Sequence, residues 1–168
     1  GGYHGVPGTG VTFGVADGPV AGTSAVSVNN TTNGRIHAFG SSVAPTDYSA
    51  EVWFRTSATS GRLLGFGDLQ VGNSGHRDRQ IYLTNNGRVH FGIRAEGTQV
   101  LSSPAQYNNN QWNQAVVTLT GSSARLYVNG ALVAQRNNIT DPEQYIGHWR
   151  LGGDNQSGWP SAGNANFN

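Results

Sequence analysis

The chain of 168 residues contains no cysteine and no methionine. It also has no lysine, so all ten basic residues are arginine. Without cysteine there is no disulfide framework and no thiol chemistry, and without lysine the side chains cannot form Lys–Asn isopeptide cross-links. Charged residues make up only 11% of the chain, and the formal net charge is +1 without a basic cluster. This charge pattern gives no electrostatic footprint for a nucleic-acid partner.

Long apolar runs and helical periodicity are lacking too. No apolar run approaches the ~20 residues that cross a membrane, and no window of about 11 residues has a sustained helical pattern. Glycine (25 residues) and many Asn, Ser and Thr residues stand beside β-branched and aromatic residues. This mixture favours short strands joined by tight turns. The length indicates one all-β domain over residues 1–168, large enough to bury a core.

Asn-Gly pairs mark the clearest reversals. Two runs of β-forming residues flank Asn129-Gly130, and Asn-Gly favours a type I′ hairpin turn because both residues tolerate positive φ. Asn86-Gly87 predicts a second hairpin, and Asn33-Gly34 predicts a turn into the next strand. Turn signals that recur every ~8–12 residues are typical of a β-sandwich or barrel.

Alternation of apolar and polar residues predicts the individual strands. Tyr48 to Thr56 alternates as expected of a strand with one buried side. The glycine-rich stretch Gly1 to Gly10 is predicted to be a loop. The other predicted strands are Val11–Val15, Ala25–Val28, 35–39, Leu63–Phe66, Gln80–Leu83, 88–94, Thr98–Leu101, the two arms of the Asn129-Gly130 hairpin, and 145–153.

From about Tyr48 onwards, the order of segments resembles a bacterial branch of the laminin-G-like jelly rolls, within the concanavalin A-like lectin/glucanase superfamily. The matching segments are 50–56, 75–83, 111–113, 126–130, 145–155 and 158–160. The resemblance implies a two-sheet antiparallel jelly-roll sandwich. It also implies a domain that holds a ligand rather than transforming it, although a shared fold does not identify the ligand.

Two departures from the family pattern concern the terminal strands. Such domains usually continue after a segment like Asn166–Asn168 into a last strand of the type Gly-x-Ile-Asp-Glu-Val-x-Val-Tyr, and many have a strand before a segment like Gly1–Gly5. In these jelly rolls the two terminal strands lie together in one sheet. The resemblance therefore implies an open gap, which is filled by a larger polypeptide, a strand-donating partner chain or a neighbouring copy. The alternative is a truncated sequence.

The residues of glycan hydrolysis are not in place. The glucanase relatives use a Glu-x-Asp-x-x-Glu type motif, because retaining hydrolysis needs two carboxylates about 5–5.5 Å apart. Glu51 is followed by Trp53 and Arg55 where acids would be needed, and Asp141-Pro142-Glu143 is predicted to be a surface loop. There is also no Gly-x-Ser-x-Gly motif, so we expect no enzyme. The histidines lack metal-ligand spacing, and three are expected on solvent or cleft faces of strands: His37, His90 and His148.

Calcium is the cofactor that the resemblance implies, because laminin-G-like domains often hold one ion at the rim of the sandwich. Calcium takes several oxygen ligands from carboxylates and carbonyls. The candidate ligands are Asp78, Asp154, Asn155 and Asp68. The alternative is that Asp78 forms a salt bridge with Arg77 or Arg79, its neighbours in sequence.

Carbohydrate is a ligand class that the aromatic and polar residues favour, since rings offer flat apolar faces and polar side chains offer directed hydrogen bonds. The candidate ligand-binding residues are Trp53, Glu51, Arg55, His90, Arg94 and Trp159. Trp112 and Trp149 are expected to pack inside. We predict a non-catalytic module of a bacterial secreted or cell-surface protein that binds a glycan or a protein. The alternative is a structural subunit completed by a β-strand from another chain.

Overall fold

The computed structural model describes residues 4–140, 142–163 and 166–167. These residues form fourteen strands and contain no helix. The strands are β1 (Gly5–Pro7), β2 (Val11–Val15), β3 (Ala25–Val28), β4 (Arg35–Ala38), β5 (Ser42–Val43), β6 (Tyr48–Phe54), β7 (Gly61–Gly67), β8 (Arg77–Leu83), β9 (Arg88–Ala95), β10 (Gly97–Gln106), β11 (Asn113–Thr120), β12 (Ser123–Val128), β13 (Ala131–Asn137) and β14 (Ile146–Gly152).

The strands form two principal sheets and one separate hairpin. The large sheet has eight strands in the order β1-β4-β14-β7-β8-β9-β10, with β5 paired to β14. The small sheet has the order β13-β12-β11-β6, and β2 pairs with β3 alone. Every ladder is antiparallel. The predicted all-β, two-sheet antiparallel architecture is confirmed.

The core lies between the two principal sheets. Val89, Phe91 and Ile93 of β9 are fully buried at alternate positions, and they belong to the same core cluster as alternate residues of β11 such as Val117 and Leu119. β10 lies against β12 and β13, while β6 lies against β7. The edge strand β6 of the small sheet therefore lies over β7, and the large sheet continues past it with β14, β4 and β1. Among the described residues, no helix is long and apolar enough to cross a membrane.

The three Asn-Gly pairs behave differently. Asn129 and Gly130 have φ values of 51° and 80°, which is the type I′ pattern that the sequence predicts. Gly87 has a φ of 79°, and its N–H donates to the Thr84 carbonyl at 2.9 Å. Gly34 closes a turn through its N–H to the Thr31 carbonyl at 3.0 Å. That third turn connects β3 and β4, which belong to different sheets.

The prediction of a loop over Gly1 to Gly10 is wrong for three residues. Gly5–Pro7 form β1, with Gly5 opposite Ala38 of β4. Glycine has a low strand propensity, but backbone pairing with an existing sheet edge overrides it here. Residues 1–3 of the predicted loop lie outside the described residues.

The segment from Asp154 to Gly163 covers part of the face of the large sheet that points away from the small sheet. Trp159 packs over Gly92 of β9 and is only 4% exposed. The Tyr82 hydroxyl donates to the carbonyl of Pro160 at 2.8 Å. A Cβ atom on residue 92 would lie 2.2 Å from a ring carbon of Trp159, so only glycine leaves room for the indole.

We expect Gly92→Ala to destabilise the fold by about 1–3 kcal/mol, because the added methyl group overpacks a filled site. Gly75→Ala is the matched control, since its nearest neighbour would be an Asp68 oxygen at 3.5 Å. Urea titration followed by tryptophan fluorescence measures both changes. Equal stability of the two variants would contradict the close packing of Trp159 on Gly92.

Candidate functional site

The outward face of β6 carries an exposed tryptophan whose indole is held in place. Trp53 is 42% exposed, and its Nε1–H donates to Glu51 Oε1 at 2.7 Å. Gln114 of β11 donates from Nε2 to the same oxygen, also at 2.7 Å. These two hydrogen bonds lower the pKa of Glu51, so the carboxyl group is a fixed anionic acceptor beside a flat apolar ring.

A second indole lies close to this position. The Arg55 guanidinium carbon is 5.2 Å from the centroid of the Trp112 ring, a cation–π contact. Trp112 Nε1–H donates to the carbonyl of Asp17 at 2.7 Å. Trp112 is half-buried at the surface and is not part of the core cluster, so the expectation that it packs inside is wrong. It precedes Asn113, the first residue of β11, and therefore falls outside the alternating pattern of that strand.

We call Glu51, Trp53, Arg55 and Trp112 the aromatic strip. A cavity of about 390 Å³ adjoins it, lined by Arg55, Trp112 and residues of the turn between β2 and β3. The strip offers aromatic faces, one guanidinium group and one carboxylate. The two side chains next to Glu51 on its face of β6 are Ser49 and Trp53, so there is no carboxylate pair for hydrolysis at this position.

The remaining predicted glycan-binding residues lie elsewhere, on the large sheet and the segment that covers it. His90 is 8% exposed and Trp159 is 4% exposed, so Trp159 is not available as a sugar platform. The Arg94 guanidinium carbon is 5.8 Å from the centroid of the Trp159 ring. Arg94 itself lines a separate surface cavity with Glu143. The structure therefore brings Glu51, Trp53 and Arg55 together, whereas His90, Arg94 and Trp159 lie away from them.

Two of the histidines expected on solvent or cleft faces are buried, although His37 also lines a groove over β4 and β14. His37 is 8% exposed, and burial together with Arg35 lowers its pKa. His90 Nδ1 is 3.1 Å from the Tyr82 hydroxyl. Because that hydroxyl donates to a backbone carbonyl, Nδ1 carries the proton and donates to it. The Ser102 hydroxyl then donates to Nε2 at 2.8 Å.

The third histidine is half-buried. Nδ1 of His148 is 3.1 Å from the carbonyl of Gly40. Trp149, expected inside, packs its ring 5.6 Å from that of Tyr48 and 5.4 Å from that of Phe66. It is half-buried, on the side of the large sheet that faces the small sheet.

Burial and the nearby Arg88 lower the pKa of His90 from 6.5 to about 4. Between pH 4 and pH 6.5 the unfolded chain binds more protons than the folded chain does. The stability that neutral His90 contributes is therefore fully present above pH 6.5 and is lost as the pH falls towards 4. From pH 7 to pH 5 we expect His90 to account for a loss of about 1–2 kcal/mol.

Urea titrations of the wild type and His90→Gln at both pH values measure this contribution, with exposed His4→Gln as control. A wild-type pH dependence that His90→Gln does not reduce would contradict the burial of a neutral imidazole.

The carboxylate oxygens of Asp78, a predicted calcium ligand, accept hydrogen bonds from other groups of the protein. Its Oδ1 accepts the backbone N–H groups of Arg79 at 2.6 Å and Arg94 at 2.5 Å. Its Oδ2 accepts Arg79 Nη1 at 2.6 Å, and both side chains are fully buried. The alternative drawn from the sequence, a salt bridge to a neighbouring arginine, is the arrangement found.

Asp154 is the centre of a second buried cluster. Its Oδ2 lies 2.8 Å from Arg62 Nη1 and 3.2 Å from Arg150 Nη1. Ser74 donates to both carboxylate oxygens at 2.8 Å, from its N–H and from its hydroxyl. Burial opposes the charge of Asp154, but the two guanidinium groups and Ser74 outweigh burial and hold its pKa below the ordinary value.

The two remaining candidates also accept backbone hydrogen bonds. Asp68 Oδ1 accepts the N–H of Gly75 at 3.0 Å, and Asn155 Oδ1 accepts that of Ser157 at 2.9 Å. In the described part of the chain, no group of three or more His, Cys, Asp or Glu residues is placed to hold a metal ion. At Asp78 and Asp154, guanidinium and N–H donors take the positions that a cation would occupy, so these two carboxylates do not favour a calcium ion.

Thermal melting in millimolar calcium and in chelator is expected to give the same midpoint, since an ion stabilises only a state that binds it. Sodium chloride at equal ionic strength is the control. A calcium-dependent rise in the midpoint that chelator reverses would contradict the saturation of Asp78 and Asp154.

Comparison with known proteins assigns the fold to a superfamily. A laminin-G-type family model, described as concanavalin A-like lectin/glucanases superfamily, matches residues 17–167. The chain belongs to this superfamily. No curated protein sequence matches the chain.

Solved structures agree with this assignment. The CBM40 domain of the Ruminococcus gnavus IT-sialidase has a TM-score of 0.56 and 21% identity, over 72% of this chain and 70% of that one. Mouse laminin α1 domains LG4-5 have a TM-score of 0.52 and 16% sequence identity to this chain. The match covers 70% of this chain but 32% of the laminin chain. A SAP-like pentraxin from Limulus polyphemus has a TM-score of 0.53 and 13% sequence identity, and the match covers 77% of this chain and 62% of the pentraxin chain. At these identities the likeness concerns the fold.

Proposed function

We propose that this domain is a non-catalytic carbohydrate-binding module of a bacterial extracellular or cell-surface protein, and that the aromatic strip is its ligand surface. The observation that carries the proposal is the exposed indole of Trp53, fixed by its hydrogen bond to Glu51. A large aromatic side chain that is both exposed and held in one orientation loses little freedom when a flat ligand stacks on it.

The polar groups of the strip suit hydroxyl-rich ligands. Glu51 has a second carboxylate oxygen free of the bonds that Trp53 and Gln114 make to Oε1. Arg55 is held over Trp112 and presents several N–H donors in a fixed plane. Ring faces with donors and acceptors at their edges are the combination that orients a sugar.

The relatives support a binding role and a setting outside the cell. A Ruminococcus gnavus CBM40 structure contains α2,3-sialyllactose and has a TM-score of 0.53 to this chain. The laminin LG4-5 pair adopts the same kind of sandwich. The absence of lysine, cysteine and methionine from a chain rich in Asn, Gly and Thr suits a secreted bacterial protein.

A glycan array followed by calorimetric titration of the best-binding glycan tests the proposal. Trp53→Ala and Trp112→Ala are each expected to weaken binding about fivefold or more, because each removes one stacking face, worth at least about 1 kcal/mol.

Phe39→Ala is the matched control, since Phe39 is 72% exposed and lies outside the strip. An array without any bound glycan would sink the proposal, as would equal affinities of the wild type and both tryptophan variants.

A further inference from the structure

The outward face of the small sheet, which points away from the core, is open to solvent in the part of the chain that the structure describes. The inward residues of β11 and β12, such as Ala115, Val117 and Leu126, are buried. The residues between them on these strands are half-buried or exposed. The large sheet differs, because the segment from Asp154 to Gly163 covers part of its outward face. The small sheet therefore offers a surface that continues from the aromatic strip.

Cross-strand pairing places one row of side chains across all four strands of this sheet. Glu51 lies opposite Val116, and Val116 lies opposite Tyr127 on the next strand. Tyr127 lies opposite Leu132 of β13. Trp53, whose indole donates to Glu51, lies beside the first position. We call Trp53, Val116, Tyr127 and Leu132 the apolar row. Its two ends, Trp53 and Leu132, are 42% and 49% exposed.

A second row lies parallel to the first, two residues further along β6, β11 and β12. Ser49 lies opposite Thr118, and Thr118 lies opposite Arg125. Arg125 lies opposite Gln135 of β13. Two residues advance a strand by about 6.6–6.8 Å. These four residues, which we call the polar row, carry hydroxyl, guanidinium and amide groups. They lie beside the apolar row at a distance that one sugar ring with its hydroxyl groups can bridge.

The spacing of the two rows suits a chain of sugar rings. Neighbouring strands lie ~4.8 Å apart, which is close to the length of one ring in an extended glycan. From β6 through β11 and β12 to β13, the rows therefore extend over about 14 Å. A sugar ring packs its apolar face on aromatic or aliphatic side chains while its edge hydroxyl groups reach hydrogen-bonding groups. Each strand of the small sheet supplies one residue of both kinds.

The charge of this face favours a neutral ligand. The outward side chains of β6, β11 and β12 contribute one anion, Glu51, and one cation, Arg125. Those of β13 in the two rows, Leu132 and Gln135, are uncharged. Such a surface exerts no net attraction on a polyanion or a polycation. The regular repeat of the rows from strand to strand also matches a repeating polymer better than the irregular surface of a folded protein.

We propose that the domain binds an internal stretch of an unbranched, neutral polysaccharide, which crosses the strands of the small sheet from Trp53 to Leu132. This inference rests on the proposed function and deepens it, since it assigns the ligand class of the same surface. The polysaccharide packs its ring faces on the apolar row and directs its hydroxyl groups to the polar row. Three or more rings are in contact at once, and neither end of the chain is recognised.

Calorimetric titration with cello-, xylo- and manno-oligosaccharides of two, four and six rings tests the proposal. These chains are neutral and unbranched, and their β-1,4 linkages keep them extended. In at least one series, the affinity is expected to rise about tenfold or more from two rings to four, and to change by less than about threefold from four to six. Equal affinities for two and four rings, or no binding in any series, would overturn the proposal.

The glycan array separates failure of this inference from failure of the proposed function. If Trp53-dependent binding is confined to glycans with one particular terminal residue, the proposed function stands and the internal-chain inference is wrong. If no glycan on the array binds, both are wrong.

Variants at the far end of the apolar row test the contact itself. Tyr127→Ala is expected to weaken tetrasaccharide binding about fivefold or more. Disaccharide binding is expected to stay unchanged, because the disaccharide is held at Trp53. Tyr127→Phe keeps the ring and is expected to bind the tetrasaccharide like the wild type.

Leu132→Ala tests the same end of the row at an exposed position, where the fold does not depend on the side chain. It is expected to weaken tetrasaccharide binding about twofold or more and to leave disaccharide binding unchanged. Leu69→Ala is the matched control, since Leu69 is 45% exposed and lies in the loop between β7 and β8. Wild-type tetrasaccharide affinity in both Tyr127→Ala and Leu132→Ala would overturn the proposal.

Discussion

Backbone hydrogen bonding between strands determines which surfaces of this protein are covered and which are open. Sheet strands need a partner on both sides to satisfy their N–H and C=O groups, or else water must reach them. β6 has β11 on one side and a solvent-accessible cleft on the other. Its alternation also places Trp53 and Glu51 outward and Ala50 and Val52 inward. One strand therefore carries the proposed ligand surface on one face and residues of the core side on the other.

Buried ion pairs connect the loops to the large sheet where other folds use disulfides or metals. Asp154 joins the segment that carries Trp159 to Arg62 of β7 and Arg150 of β14. Arg79 connects Asp78 to the carbonyls of Pro45 and Glu143. Such clusters add little net stability compared with apolar packing, but removal of one partner leaves an uncompensated charge. They fix the position of the loops.

Much of the fold is predictable from the sequence because alternation and turn chemistry are local. The limits of β2 and β3 agree with the predicted strands, and the Asn129-Gly130 hairpin has the predicted turn. β1 was not predictable in this way, because its pairing with β4 is a tertiary contact. The sheet order and the separation of β2–β3 from the small sheet depend on tertiary contacts as well.

The site was predictable only in part. Period-2 geometry places Glu51, Trp53 and Arg55 on one face, and the structure brings them together. Trp112 belongs with them because of a hydrogen bond to Asp17, which lies far away in sequence. Trp159 is buried because Gly92 makes room for it, a match between distant residues that neither local segment reveals. For Asp78 and Asp154, no local signal separates a metal ligand from a carboxylate that arginine neutralises.

The most direct test of the one-sided pairing of β6 is residue-resolved amide exchange of the protein alone, measured by NMR. We expect slow exchange throughout β11 and β12. Along β6 we expect slow exchange at alternate residues, whose N–H groups face β11, and fast exchange at the residues between them. Uniformly slow exchange along β6 would contradict one-sided pairing, because it would mean that the second edge is already paired.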